Sequence, residues 1–218
     1  MDERKAMLDD IEQEVDCTRR DIGKDALDPR VMAAMAKVPR QRFVPEAHRF
    51  RAFANGPVPI GHGQTISQPY IVALMTDLVA PRADSTILEI GTGSGYQAAV
   101  LAEIVARVFS VEVVEPLATA AAKRLAELGY RNVSVRHGDG WNGWPEHAPY
   151  DGIVVTAAAA RIPPPLVEQL KPGARLVIPV GEPGGVQDLQ VLDKRDDGSV
   201  DTRHVLLVAF VPLVHPSA

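Results

Sequence analysis

The segment Ile87-Leu88-Glu89-Ile90-Gly91-Thr92-Gly93-Ser94-Gly95 constrains the fold more than any other part of the chain. An apolar run of strand character carries one acidic residue and stops at three glycines on alternate positions. Glycines there let the backbone turn tightly and approach a ligand that a Cβ would exclude. Residues 96–105 read as a helix, so the loop presents backbone N–H groups at a helix N-terminus. A strand–glycine loop–helix unit of this kind binds a nucleotide-like cofactor and belongs to an alternating α/β sheet.

The loop fits two cofactors. Counted from Gly93, the residues Gly93, Gly95 and Ala98 satisfy the G-x-G-x-x-G/A dinucleotide fingerprint, as in a nicotinamide-dependent oxidoreductase. Counted from Glu89, the pattern is acidic-x-Gly-x-Gly-x-Gly, which suits S-adenosylmethionine. A dinucleotide brings an anionic pyrophosphate, which favours a helix N-terminus with no carboxylate nearby. S-adenosylmethionine brings no phosphate but a cationic sulfonium and an ammonium group. The Glu89 carboxylate at the strand end complements that charge and tilts the reading to the methyl donor; the competing reading is a solvated strand end.

The rest of the chain supports one α/β domain. With 218 residues there is enough chain for a sizeable core. Asp28-Pro29 marks a helix start, with Asp as N-cap and Pro at the first helical position, and Val38-Pro39 ends it. Residues 55–66, dense in glycine and proline, read as a loop. Strands are predicted at 86–90, 108–113, 133–137, 152–156 and 175–179, with helices at 96–105, 116–128 and 163–170. Strand-like runs at 189–192 and 205–211 flank the polar turn Asp196-Asp197-Gly198-Ser199. The succession predicts a doubly wound, mostly parallel sheet with a C-terminal antiparallel hairpin and an N-terminal helical extension. The division expected is 1–80, helices and a loop packed on the core, and 81–218, the cofactor-binding core, together one globular unit.

Composition sets bounds on partners. A formal net charge of −5 supplies no basic footprint for nucleic acid. The single cysteine, Cys17, excludes an internal disulfide framework and suits a reducing compartment. No run approaches the roughly 20 apolar residues of a membrane span. The first residues, Met1-Asp2-Glu3-Arg4, are too polar for a secretory signal, so a cytoplasmic chain with no membrane partner is expected. A monomer is the expected state.

Further acidic residues sharpen the cofactor reading. Glu112, at the end of the second strand, can accept hydrogen bonds from ribose hydroxyls in either kind of nucleotide site. His137-Gly138-Asp139-Gly140 follows the third strand, and an aspartate between glycines there suits an adenine amino group, although it is also an ordinary turn sequence. Beside Glu89 and Glu112 the binding role is the better reading.

The segments Gly61-His62-Gly63-Gln64-Thr65-Ile66-Ser67-Gln68-Pro69, Leu88 to Tyr96, Arg136 to Trp144, Val154-Val155-Thr156-Ala157-Ala158 and Phe210-Val211-Pro212-Leu213 carry a resemblance that runs from about Val38 to Leu213. Over that span the chain resembles the protein-L-isoaspartate O-methyltransferases. The first segment is the most specific, since methyltransferases at large lack a Gly-x-Gly-Gln-Thr-Ile-Ser loop before the cofactor strand. The resemblance implies a Rossmann-like methyltransferase fold with S-adenosylmethionine as methyl donor and S-adenosylhomocysteine as product. Isoaspartyl-containing proteins and peptides are the implied substrates. It places donor contacts on Glu89, Gly91, Gly93, Gly95, Glu112, Gly138 and Asp139. Substrate contacts fall on Thr65, Ile66 and Ser67, with Val211, Pro212 and Leu213 nearby, and catalytic roles on Ser67 and Thr65. Residues up to about Leu8 exceed the family pattern, and the alanine run 157–160 falls where the family loop varies.

The chemistry stands by itself. An isoaspartyl residue keeps a free α-carboxylate, because its chain continues through the side-chain carbonyl. A carboxyl group of pKa roughly 3.9 is already ionised near neutral pH and needs no base to attack a methyl carbon. The protein has mainly to hold nucleophile, methyl and sulfur in line, which requires no metal. Ser67 and Thr65 then orient the carboxylate rather than attack. Ser67 also reads as the N-cap of a helix starting near Pro69, and the two roles are compatible. A catalytically silent module that binds damaged peptides is the remaining alternative.

Overall fold

In the computed structural model, residues 3–182 and 184–214 are described; the outer limits of the 1–80 and 81–218 division therefore lie outside the described residues. Helices α1 (Glu3–Ile22), α2 (Pro29–Lys37) and α3 (Pro69–Leu78) precede the sheet, and a small hairpin, β1 (Val58–Gly61) and β2 (Gln64–Ile66), lies between α2 and α3. Then come β3 (Thr86–Ile90), α4 (Tyr96–Ala102), β4 (Arg107–Glu112), α5 (Glu115–Glu127), β5 (Val133–His137), β6 (Tyr150–Val155), α6 (Pro164–Glu168), β7 (Leu170–Val180), β8 (Gln187–Lys194) and β9 (Val200–Val208). The main sheet has the order β5-β4-β3-β6-β7-β8-β9. The pairs among its first five strands are parallel, and β7–β8 and β8–β9 are antiparallel, as expected from sequence.

Both faces of β3 are covered, so its residues are apolar almost without break. Alternation splits them: Ile87 joins the core under α1 to α4, whereas Leu88 and Ile90 join the core on the opposite face with Phe109, Tyr150 and Leu166. Glu89 shares the face of Ile87 and is fully buried. The first core draws Met7, Ile11 and Val31 from the N-terminal helices together with Val154 and Val177 from the sheet, so helices and sheet share one interior.

Two expectations need correction. The stretch 55–66 is not a plain loop, because Val58 pairs with Ile66 and Pro59 with Thr65 in an antiparallel hairpin. Val58 and Ile66 point inward and are buried, and that burial outweighs the glycine and proline content. A two-stranded hairpin is all edge, where proline's missing N–H costs nothing. The last strand also ends early. β9 stops at Val208, where Phe210 N–H turns to the Gln187 side chain (2.8 Å), and Pro212 instead bridges Ala158 beyond the end of β6.

Candidate active site

The carboxyl ends of β3, β4 and β6 open into a cleft of about 730 Å³, counting the space open to solvent. It lies where the sheet order reverses between β3 and β6, the position at which open α/β sheets bind ligands.

The floor is the glycine loop. Gly91 has φ +93, and a Cβ there would meet Thr156 Oγ1 at 2.5 Å. That threonine hydroxyl spans the carbonyls of Ile90 (3.0 Å) and Gly91 (2.7 Å), tying the end of β3 to the end of β6. Gly91 N–H donates to Val111 O at 2.8 Å. Gly95, at φ +87, is the N-cap of α4.

Glu112 forms the acidic wall. Its Oε2 accepts from Gly93 N–H (2.7 Å) and its Oε1 from Val114 N–H (2.9 Å), while the residue lines the cleft. Each carboxylate oxygen keeps a further lone pair for a ligand hydroxyl. No lysine or arginine is among the lining residues.

Glu89 is elsewhere. It does not line the cleft but lies beneath the loop, where Ser110 Oγ donates to its Oε2 and in turn meets Thr92 Oγ1 at 2.5 Å. Ala98 N–H, in the first turn of α4, approaches the carboxyl, yet Oε1 makes no hydrogen bond. Burial, aided by the nearby Glu112 charge, pushes its pKa up to about 8. The sequence expectation has Glu89 facing the donor directly, whereas the structure places it behind the loop and outside the lining. A carboxyl kept from water holds its proton at neutral pH, and the acidic lining residue is Glu112.

Asp139 and Gly138 are also outside the lining. Asp139 Oδ1 accepts from Trp141 N–H (2.9 Å) and its Oδ2 from Asn142 Nδ2 (3.0 Å), capping the short 3-10 turn Gly140–Asn142. Of that turn it is Gly140 that reaches the cleft.

The opposite wall is the end of β2. Thr65 is exposed, Ile66 buried and Ser67 half-buried, and all three line the cleft. Ser67 is not a helix cap: the N-cap of α3 is Gln68, followed by Pro69, and the Ser67 hydroxyl has no hydrogen-bond partner among the described residues. Val211, Pro212 and Leu213 close the cleft from the C-terminal side, held by Ala158 N–H to Val211 O (2.8 Å) and Leu213 N–H to Ala158 O (2.7 Å). A second groove of about 990 Å³, open to solvent, shares Thr65, Ser67, Thr156 and Val211 with the first and continues over Pro57, Ile71, Val186, Leu207 and Phe210.

Thus Thr65, Ile66, Ser67, Gly91, Gly93, Glu112, Val211, Pro212 and Leu213 converge, while Glu89, Gly95, Gly138 and Asp139 support the walls from behind. Sequence reasoning assigned no site role to Thr156, Tyr96, Gln97 or Gln64, which also line the cleft. Gln64, Tyr96 and Thr156 lie within the quoted motifs and Gln97 directly follows one, which was their only signal. Trp144 packs edge-on against Phe109 at 5.3 Å, in keeping with a packing role.

The model of the protein-L-isoaspartate(D-aspartate) O-methyltransferase family matches residues 16–218. A protein-L-isoaspartate O-methyltransferase 2 of Syntrophobacter fumaroxidans is 61% identical over 210 residues, covering 96% of this chain and 85% of that protein. One from Polaromonas sp. strain JS666 is 59% identical over 207 residues, covering 95% and 98%. Among solved structures, a protein-L-isoaspartate O-methyltransferase superposes with TM-score 0.82 at 25% identity, over 97% of this chain and 66% of that one. A putative enzyme of the same name from Plasmodium falciparum, in complex with S-adenosyl-L-homocysteine, superposes with TM-score 0.75 at 24% identity, over 94% and 97%. Matched along nearly its whole length, with the glycine loop and the Thr65–Ser67 wall facing one cleft, the chain belongs to the protein-L-isoaspartate(D-aspartate) O-methyltransferase family.

Proposed function

We infer that the protein transfers a methyl group from S-adenosylmethionine to the free α-carboxylate of isoaspartyl residues in damaged proteins, releasing S-adenosylhomocysteine and initiating repair. The observation that carries this reading is the charge and shape of the cleft. The glycine loop and Glu112 suit a ribose-bearing donor, and with no lysine or arginine lining the cleft among the described residues a cationic, phosphate-free one is favoured. The buried Ala98 in the first turn of α4 would satisfy the dinucleotide fingerprint equally well, so it is the family match that sets the nicotinamide reading aside.

When bound, S-adenosylmethionine supplies an electrophilic methyl carbon. Glu112 is the acceptor for the donor's ribose hydroxyls, and Thr156 holds the loop carbonyls of Ile90 and Gly91 in place. Thr65 and Ser67 offer hydroxyl donors to one carboxylate oxygen of the substrate and leave the other aimed along the transfer axis. No side chain has to take a proton, because the nucleophile is already ionised at neutral pH. The groove beyond Thr65 and Ser67 receives the chain flanking the isoaspartyl residue, and the Val211–Leu213 backbone borders it.

No helix among the described residues is long and apolar enough to cross a membrane. A cytoplasmic location belongs to this reading and is supported by the single free, exposed cysteine, Cys17. So does a monomer, which sedimentation would check.

The test is methyl transfer from S-adenosylmethionine to paired peptides, one isoaspartyl and one aspartyl at the same position. Selective methylation of the isoaspartyl peptide is expected. Equal methylation of both would refute the repair reading, and methylation of neither, with the peptide still bound, would favour the silent binding module.

A further inference from the structure

Arg40 stands in the 3-10 turn Arg40–Arg42, outside the cleft lining, and is fully buried. Its Nε donates to Ala52 O at 2.7 Å and its Nη2 to Ser67 O at 2.6 Å. The guanidinium lies over the Tyr96 ring, with Cζ 4.6 Å from the centroid. Its Nη1 is buried and has no hydrogen-bond partner; the Tyr96 side chain interacts with the charge, but among the described residues no carboxylate does.

A buried guanidinium without a counter-ion is costly, and two carbonyls and a ring face offset only part of that cost. A tie between two carbonyls would not need a full charge. This charge sits against the backbone carbonyl of Ser67, a residue that lines both the cleft and the adjoining groove. The ring beneath it belongs to Tyr96, the first residue of α4 and part of the donor side. One side chain thus touches the backs of both walls that methyl transfer must align.

We propose that Arg40 is a positioning residue for methyl transfer, fixing the Ser67 carbonyl so that the Thr65–Ser67 wall presents its hydroxyls, and using its uncompensated charge to draw the substrate carboxylate to that wall. The proposal rests on the function inferred above. Acting through a peptide group, the charge attracts the anion without bonding to it, so the attacking oxygen keeps its lone pairs for the methyl carbon. The incoming carboxylate is the counter-ion that the described residues do not supply. Lysine would keep the charge but could not span both carbonyls with separate nitrogens, and methionine would keep the bulk and lose both.

The experiment compares wild type, Arg40→Lys and Arg40→Met in steady-state methylation of an isoaspartyl peptide, with S-adenosylhomocysteine binding measured by calorimetry. Arg40→Met is expected to lose roughly ten- to hundredfold in kcat/KM, with much of the loss in peptide KM. Arg40→Lys should recover part of the KM and little of the kcat, and S-adenosylhomocysteine affinity should stay within about threefold of wild type in both. A folded Arg40→Met with wild-type kcat/KM overturns the proposal, and so does a parallel loss of S-adenosylhomocysteine affinity, which marks a merely structural role. Should the variants fail to fold, wild type decides: the Arg40 Nε–H resonance must shift on saturation with isoaspartyl peptide and not with its aspartyl control, and an unmoved resonance overturns the proposal. Wild type that methylates no isoaspartyl peptide refutes instead the functional reading, and this proposal with it.

Discussion

Replacing Glu89 by glutamine isolates the effect of one buried proton. Glu89 is fully buried, accepts a hydrogen bond from Ser110, is approached by Ala98 N–H and has an orphaned Oε1. Its pKa rises from 4.5 to about 8 on folding, chiefly through burial. Between those values the folded protein keeps a proton that the unfolded chain releases. The stabilising effect of that proton is complete below about pH 4.5, falls as pH rises and is gone above about pH 8. Each pH unit costs about 1.4 kcal/mol, so the window amounts to roughly 4–5 kcal/mol. Glu89→Gln is neutral at every pH and nearly isosteric, so it carries no such slope. Its unpaired amide N–H₂ at the Oε1 position adds an offset that does not vary with pH. Urea unfolding of both proteins from about pH 5 to about pH 8 should show the variant gaining on wild type by about 1.4 kcal/mol per unit. Other titrating groups are common to both and cancel. A gap constant within about 0.5 kcal/mol over that range would mean that Glu89 ionises as an ordinary carboxylate, and would refute the argument from burial.

Other substitutions probe the walls of the cleft. Ser67→Ala removes a hydroxyl that caps nothing, so unfolding free energy should change by less than about 0.5 kcal/mol. Peptide kcat/KM should fall about tenfold, read by methyl transfer at saturating donor. Glu112→Gln turns an amide N–H₂ toward Gly93 N–H or Val114 N–H, two donors face to face; S-adenosylhomocysteine affinity should drop roughly ten- to hundredfold by calorimetry. Gly91→Ala combines a left-handed φ with a Cβ 2.5 Å from Thr156 Oγ1. A loss of about 2–4 kcal/mol is expected from backbone strain and displacement of the Thr156 hydrogen bonds, seen as a lower Tm together with weakened donor binding.

Local sequence carried the parts of this protein that local physics decides. The run Thr86–Ile90, its glycine loop and the helix after it were legible because strand alternation, left-handed turns and helix starts act over a few residues. The helix at Pro29 was legible for the same reason, and Asp28 does accept from Arg30 N–H at 2.8 Å. The Thr65–Ser67 loop was recognisable as a motif, although the hairpin that carries it was hidden behind prolines and glycines.

Tertiary structure decided what depends on burial and on distant partners. Which face of β3 bears Glu89 follows from alternation, but only the packing of α4 and Ser110 around it makes the carboxyl neutral. Ser67 looked like a cap because serine before a proline-led helix commonly is one; the chain instead starts α3 one residue later and leaves the hydroxyl to the cleft. Arg40 had no signal in the sequence, since its partners are 12 and 27 residues away and the absence of a counter-charge is a property of the folded interior. Likewise the strand-like run is expected from sequence to reach Val211, but the Gln187 side chain takes Phe210 N–H and Ala158 pairs with the segment that follows. The cofactor loop was thus determined by sequence alone, because its chemistry is that of contiguous residues. The acceptor wall, the silent Glu89 and the buried charge behind Ser67 were set by contacts that exist only once the chain has closed on itself.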